Sequence, residues 1–159
     1  LGHGPGDGRI RDSFALAKEA GLKYTFREIR LPRAHPNTAH IELWGESGAT
    51  CTVVGASIGG GNISIQQING MDTAFSGDND TLIVLHHDVP GAIAGVTAIA
   101  ADSGVNICNF RLSRQNKGGR AVMTIEVDGI GAEGMLASLK QAQSVIDVVF
   151  LEANGGHHV

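Results

Sequence analysis

A chain of 159 residues with a formal net charge of −4 and a pI near 5.9 lacks the basic footprint that nucleic-acid binding needs. Apolar residues make up 42% of it and aromatic residues 4%, which predicts aliphatic cores in one or two small domains that fold without a cofactor. The longest uncharged stretch, residues 47–71, is broken by Gly, Asn, Gln and Ser and is unsuited to spanning a bilayer.

The first half of the chain is predicted to be mostly sheet with one helix. Gly8 to Ala20 has the pattern of a short amphipathic helix that stops at Gly21. Alternating apolar runs then indicate strands, with Asn69-Gly70 as the strongest hairpin turn in the chain. The predicted strands are Lys23–Leu31, His40–Trp44, Ala49–Ile58, Asn62–Ile68 and Met71–Ser76. The polar run at residues 77–80 predicts a domain boundary, so residues 1–79 form the first domain.

The second half has the order strand, helix, strand, strand, helix, strand. A hairpin turn at residues 116–119 separates its two middle strands, and Met135, Leu136 and Leu139 mark the buried stripe of its second helix. The predicted elements are Thr81–His87, Pro90–Ser103, Val105–Arg114, Arg120–Val127, a helix around Met135 and Val145–Leu151. This order predicts an α+β fold in which residues 80–153 form a ferredoxin-like domain, followed by a tail at residues 154–159.

The junction between the first strand and the first helix of that domain suits an amino acid. Unpaired N–H groups at a helix start favour a carboxylate, Asp88 can accept from an α-ammonium, and Asn106 can both donate and accept. The string from His86 to Gly91, followed by residues 104–107, resembles an ACT domain, the regulatory module of many amino-acid enzymes.

That resemblance implies an effector site and a homodimer, because the family usually places its site across a subunit interface. The implied effector-binding residues are His86, Asp88, Val89, Gly91, Asn106 and Ile107. The alternative is structural: Asp88 as a helix N-cap and Asn106 as a residue that orders a turn.

Three strings in the first half extend the resemblance to almost the whole chain. In order they are Gly2-His3-Gly4, His35-Pro36-Asn37-Thr38 and Ser57-Ile58-Gly59-Gly60-Gly61. With an ACT domain behind them they resemble the β chain of bacterial iron-sulfur-dependent L-serine dehydratase, whose first domain is similar to the allosteric substrate-binding domain of some phosphoglycerate dehydrogenases. The family's β chain normally begins with a longer segment, so the sequence is expected to be trimmed at its start.

The resemblance implies a catalytic α chain, or a fused catalytic domain, that uses a 4Fe-4S cluster to convert L-serine into pyruvate and ammonia. It also implies that His3 lies in the part that contacts the catalytic chain. The residues of this chain agree with a non-catalytic role, since they contain no nucleophile elbow, paired carboxylates or Schiff-base lysine. The isolated chain is therefore expected to be inactive, and L-serine is the expected effector.

The glycine run at residues 57–61 supports two interpretations. Ser57, Gly59, Gly60 and Gly61 can form a second anion or effector site through their backbone N–H groups. The same glycines can instead permit a sharp bend. Nucleotide binding is not expected, because the Lys-Ser/Thr of a phosphate loop and a G-x-G-x-x-G helix start are both missing.

Cysteine and histidine placement argues against a resident metal. Cys51 and Cys108 are the only cysteines, whereas a cluster needs about four thiolates, so both are expected to be buried small hydrophobes. His86 and His87 point to opposite faces of one strand.

Two other functions remain open. One is an amino-acid-sensing regulatory region of another enzyme, such as phosphoglycerate dehydrogenase; the other is a purely structural dimerisation module. A sensor is distinguished by ligand binding that depends on Asp88 or Asn106. Without a visible signal peptide, the expected location is the cytoplasm.

Overall fold

The computed structural model describes residues 6–128 and 132–153, with the side chains of residues 132 and 133 left aside. It divides into two compact units, Leu1–Arg33 and Ala34–Val159. The tail at residues 154–159 and the Gly2-His3-Gly4 string lie outside the described residues.

The described part of the first unit contains a continuous helical run. A 3-10 helix, Gly8–Asp12, whose start is capped by the Asp7 side chain, leads into α1, Ser13–Glu19. Gly21 follows with φ 72°, as expected for a residue that ends a helix.

The strand predicted at Lys23–Leu31 is wrong. Residues 22–30 have no regular secondary structure. Tyr24 and Phe26 instead pack against Phe14, with ring centroids 5.4 and 5.9 Å from it. The alternating apolar residues pack in this aromatic cluster. They do not form a strand because the described part of the unit contains no neighbouring strand with which residues 23–31 could pair.

The described residues of the second unit form two four-stranded antiparallel sheets. In the first sheet the order is β1-β2-β3-β4, formed by Thr38–Trp44, Thr50–Gly59, Asn62–Ile68 and Met71–Phe75. The second has the order β6-β7-β5-β8, formed by Asn106–Arg114, Arg120–Asp128, Asp80–His87 and Val145–Leu151, with helices α2 (Ala92–Asp102) and α3 (Ala132–Lys140). The predicted α+β class and the ferredoxin-like order of the second half are confirmed.

The main core lies between the second sheet and its helices. The side chains with 0% exposure include Leu82, Met123, Ile125, Met135 and Leu139. Burial of each such side chain contributes roughly 1.5–3 kcal/mol relative to exposure. This layer fixes where β5 ends and α2 begins. None of the helices in the described ranges is long and apolar enough to cross a bilayer.

Strand β4 of the first sheet packs against the face of the second sheet that lies away from the helices. Met71, Thr73 and Phe75 are buried, and β4 packs against β6 and β7. The hydroxyls of Thr73 and Thr124 form a buried hydrogen bond between the sheets. Residues 76–79 link the sheets at the predicted boundary, while the contacts group both sheets in one unit.

Thr73→Val is predicted to destabilise the second unit by about 1–3 kcal/mol, because it leaves the buried Thr124 hydroxyl without a partner. The double variant Thr73→Val/Thr124→Val should lose less than the sum of the single variants, since it removes both hydroxyls at nearly constant shape. Urea unfolding of the four proteins measures the difference. Additive losses would show that the two hydroxyls are not coupled.

Candidate functional site

The chain turns sharply between β5 and α2. The Val89 N–H donates to the His87 carbonyl at 2.9 Å, and Gly91 has φ 87° immediately before α2. This left-handed glycine explains why α2 starts at Ala92, two residues later than the start predicted at Pro90. Gly91 is the N-cap residue, and no side chain caps α2.

The start of α2 has unpaired backbone donors. Among the described residues, the N–H groups of Gly91, Ile93 and Ala94 make no hydrogen bond, whereas those of Ala92 and Gly95 donate to carbonyls at 3.2 and 2.8 Å. Unpaired N–H groups at a helix start attract anions, and the helix dipole adds to the attraction. The geometry can therefore receive a carboxylate.

A cleft of about 550 Å³ lies beside this helix start. One wall comes from the β5–α2 turn and the other from the loop between α3 and β8, joined by a 2.9 Å hydrogen bond from the His87 N–H to the Ser144 carbonyl. We call it the effector cleft, after the amino-acid effector expected from the sequence. Its lining residues are His87, Val89, Pro90, Gly91, Gly95, Ala142, Gln143 and Ser144.

Gly95 helps to keep the effector cleft open. A Cβ atom at this position would meet nothing within 4 Å, and the backbone there is not left-handed, so a larger residue would fill the cleft without strain. Sequence reasoning missed Gly95 and the three residues of the α3–β8 loop. The spacing of Gly91 and Gly95, about one helical turn, was the available signal.

The Asp88 carboxylate is bound to the hairpin between β6 and β7. It accepts from Arg114 Nη1 and from the Gly118 N–H, both at 3.0 Å, and the Asp88 N–H donates to the Gly119 carbonyl at 2.9 Å. The Gly118 N–H and, next, the Arg114 guanidinium lower the pKa of Asp88. We call residues 88–91, between β5 and α2, the effector loop. Asp88 ties this loop to the hairpin and is not the N-cap of α2.

His86 and His87 lie on opposite faces of β5, as predicted. His86 is 1% exposed, pairs with Ala121, and contacts the His87 carbonyl through Nδ1 at 2.8 Å. Because a carbonyl only accepts, Nδ1 is the donor, and Nε2 is buried without a hydrogen-bond partner in the described residues. His87, rather than His86, lines the effector cleft.

Asn106 and Ile107 lie at the other end of the second sheet. They pair with Asp128 and Val127, whereas His87 pairs with Arg120 at the opposite end of β7. A strand from residue 120 to 128 spans about 26 Å at roughly 3.3 Å per residue. One chain therefore does not bring Asn106, which donates to Asp128 at 3.0 Å, to its own effector cleft.

The glycine run forms the turn between β2 and β3. Gly59, Gly60 and Gly61 have φ values of 94°, 64° and 83°, which only glycine adopts at low cost in succession. Ser57 donates its N–H to the Asn37 carbonyl at 3.0 Å, so this string meets the one at residues 35–38. Backbone conformation accounts for the glycines, and an anion site there stays a prediction. His3 lies outside the described residues.

The two cysteines are free and differ in exposure. Cys51 is half-buried, but Cys108 is exposed, contrary to the expected burial. It occupies a bulge in β6 between Ile107 and Asn109, where the pairing with β7 shifts. Although Cys108 is exposed, neighbouring atoms remove part of the thiol's hydration, and this desolvation, followed by the negative charges of Asp128 and Glu126, raises the pKa of the Cys108 thiol. Within the described ranges, no group of three or more His, Cys, Asp and Glu residues fits a metal.

The chain is similar to known proteins over its second half and, more broadly, over most of its length. Residues 82–149 match the AHAS small subunit-like ACT domain. The chain is 35% identical over 142 residues to the probable L-serine dehydratase beta chain of Bacillus subtilis. The aligned residues make up 89% of this chain and 64% of that one. The L-serine dehydratase beta chain of Peptoniphilus asaccharolyticus is 34% identical, covering 89% and 63%. The expected resemblance to an L-serine dehydratase β chain is confirmed.

More distant similarity extends to another enzyme. The D-3-phosphoglycerate dehydrogenase of Bacillus subtilis is 24% identical to this chain over 137 residues. The aligned residues make up 86% of this chain and 26% of that enzyme. The chain spans about 64% of the length of the first of these L-serine dehydratase relatives.

Asp88→Asn is predicted to reduce the loss of stability at acid pH. The pKa of Asp88 is lower in the folded chain than in the unfolded chain. The contribution of Asp88 to the free energy of unfolding is therefore fully present above the unfolded pKa of about 3.9, and it is lost as the pH falls through the folded pKa. Urea unfolding at neutral and acid pH should show a smaller difference for the variant than for the wild type.

The matched control is Asp102→Asn, which removes an exposed carboxylate at the end of α2 that makes no hydrogen bond with the described residues. It should keep the wild-type pH dependence. An equal acid loss in the wild type and in Asp88→Asn would contradict the role given to the Asp88 contacts.

Proposed function

We propose, from the premise that residues 82–149 form an ACT domain, that this chain is the regulatory part of an L-serine dehydratase. The observation that most supports this proposal is that 89% of the chain matches each of two L-serine dehydratase beta chains. In this proposal the chain binds an amino-acid effector, with L-serine as the first candidate, and performs no catalysis itself.

The effector binds in the effector cleft. Its carboxylate accepts from the unpaired N–H groups of Gly91, Ile93 and Ala94, which supply donors and a positive dipole end. His87, Gln143 and Ser144 add polar groups to the wall. A volume of about 550 Å³ is larger than one small amino acid, so the cleft of a single chain needs a further wall.

A second copy of the chain supplies that wall. Val89 and Ile93 are 46% and 44% exposed beside the helix start, which suits an apolar contact. In a twofold dimer whose axis crosses the sheet, the effector cleft of one copy faces the β6 start of the other. Asn106 and Ile107 then complete the partner's site, and the homodimer forms through the ACT domain.

Occupancy of this shared site regulates a catalytic partner. A ligand held by both copies stabilises one dimer arrangement, and a coupling of roughly 1–3 kcal/mol is enough for regulation. The partner is a separate chain or fused domain whose 4Fe-4S cluster removes water from L-serine to give pyruvate and ammonia. The two cysteines of this chain are too few to hold such a cluster.

The proposal also covers the parts that the described residues leave open. His3 contacts the catalytic partner, Ser57 to Gly61 is a secondary anion position, and the complex acts in the cytoplasm, where free thiols such as Cys51 and Cys108 persist.

A regulatory region of a phosphoglycerate dehydrogenase is the second candidate. The 24% identity to that enzyme over 86% of this chain favours it. Coexpression of the chain with its genomic neighbours separates the two candidates. Copurification of an iron-sulfur protein supports the serine dehydratase, whereas a dehydrogenase partner supports the second candidate.

Isothermal titration with L-serine is expected to give saturable binding to a dimer, with glycine and L-alanine as comparison ligands. Gly95→Leu should abolish binding because the side chain occupies the effector cleft, while folding is kept since the position is unstrained and open. Light scattering on the same samples reports the dimer.

Ala98→Leu is the control, because Ala98 is exposed on α2 outside the cleft lining. It should bind L-serine like the wild type. Serine binding that survives in Gly95→Leu would place the ligand elsewhere and refute the site.

A further inference from the structure

A second cleft, of about 320 Å³, lies between the two sheets of the second unit. We call it the inter-sheet cleft. From the first sheet it receives Thr50, Thr52 and Asn69, at the start of β2 and in the β3–β4 turn. The hairpin end of the second sheet contributes Gln115 and Arg120. All five residues are polar, so the cleft suits a hydrophilic ligand.

Arg120 gives the inter-sheet cleft a positive charge. Within the described residues its guanidinium makes no ion pair or side-chain hydrogen bond, whereas Arg114 on the neighbouring strand is bound to Asp88 at 3.0 Å. A free guanidinium presents paired N–H donors that match a carboxylate. The unpaired Arg120 therefore favours an anion of that geometry.

Asn69 adds an oriented donor. Its Oδ1 accepts from the Thr52 N–H at 2.9 Å, and the Asn69 N–H donates to the Thr52 carbonyl at 2.8 Å. These contacts hold the side-chain amide in place and leave its Nδ2 group to donate to a ligand. The site thus has a fixed donor besides the flexible Arg120.

The rest of the lining offers no carboxylate to a cationic ligand group. No Asp or Glu is among the described residues that line the inter-sheet cleft, so an α-ammonium has no carboxylate partner there. Met71, 4% exposed, and half-buried Leu85 form an apolar part that suits a methyl group. The lining carries one positive charge, which matches a monoanion.

We infer that the inter-sheet cleft binds a small carboxylate without an α-ammonium group, of the 2-oxo or 2-hydroxy acid class. Arg120 binds the carboxylate, Asn69 and the threonines bind the oxygen on C2, and Met71 contacts the short apolar end. This site is separate from the effector cleft and does not depend on the function proposed for it.

The two clefts are neighbours through one cross-strand pair. Arg120 of β7 is paired with His87 of β5, and His87 lines the effector cleft. Directly paired side chains on one face of a sheet lie about 4.5–5.5 Å apart at Cβ. An acid bound to Arg120 is therefore positioned to alter the effector cleft.

Three carboxylates of equal carbon number test this inference on the full chain: pyruvate, L-lactate and L-alanine, which carry an oxo, hydroxyl or ammonium group on C2. Backbone amide shifts followed by NMR during titration should saturate with pyruvate and lactate. Shifts are expected at Thr52, Asn69, Gln115 and Arg120. L-alanine should bind there at least about tenfold more weakly, because its ammonium group is unpaired.

Arg120→Gln should weaken pyruvate binding by about tenfold or more, the scale of a lost charge-assisted contact. Arg111→Gln is the matched control, since Arg111 is exposed on β6 and does not line the cleft. It should bind pyruvate like the wild type. The inference is overturned by absent saturation, by equal affinity in Arg120→Gln, or by shifts confined to residues 89–95. The L-serine titration is read separately at the effector cleft.

Discussion

Burial of β7 on both faces is the constraint on which the rest of the second unit depends. Met123 and Ile125 face the helices with 0% exposure, while Thr124, on the opposite face, is 3% exposed and bonded to β4. A strand held from both sides cannot shift register without moving apolar side chains out of the core. The pairing of Arg120 with His87 is therefore fixed, and that pairing determines where β5 ends, where the effector loop begins and where the two clefts lie.

The proposed regulation depends on the length of this same strand. The helix start that can hold a carboxylate lies at one end of β7, and the residues expected to complete the site lie about 26 Å away at the other. In the proposed dimer, each copy contributes half of a site at each end of β7, and two copies in antiparallel arrangement bring the halves together. Asp88 contributes by holding the effector loop against the β6–β7 hairpin, so the loop keeps its shape independently of the ligand.

The sequence was sufficient where local pattern and tertiary context agreed. The strand Val145–Leu151 forms at its predicted bounds. Its β-branched residues favour a strand, and β5 provides the neighbour with which it pairs. The strand predicted at Lys23–Leu31 does not form, because its alternating apolar residues pack in an aromatic cluster. The partners of Asp88 were not predictable, since Arg114 and Gly118 lie 26 and 30 residues away in sequence. The far wall of the effector cleft, residues 142–144, was missed for the same reason: only the folded sheet brings the α3–β8 loop beside α2.

Complementation between two defective chains tests the shared effector site most directly. Gly95→Leu blocks the cleft and Asn106→Ala removes the partner's contribution, so each homodimer should bind no L-serine. After joint unfolding and refolding in equal amounts, mixed dimers should contain one intact site, and random pairing predicts about a quarter of the wild-type binding capacity. A mixture that exchanges subunits but binds nothing, or an Asn106→Ala dimer that binds like the wild type, would contradict a site built from two copies.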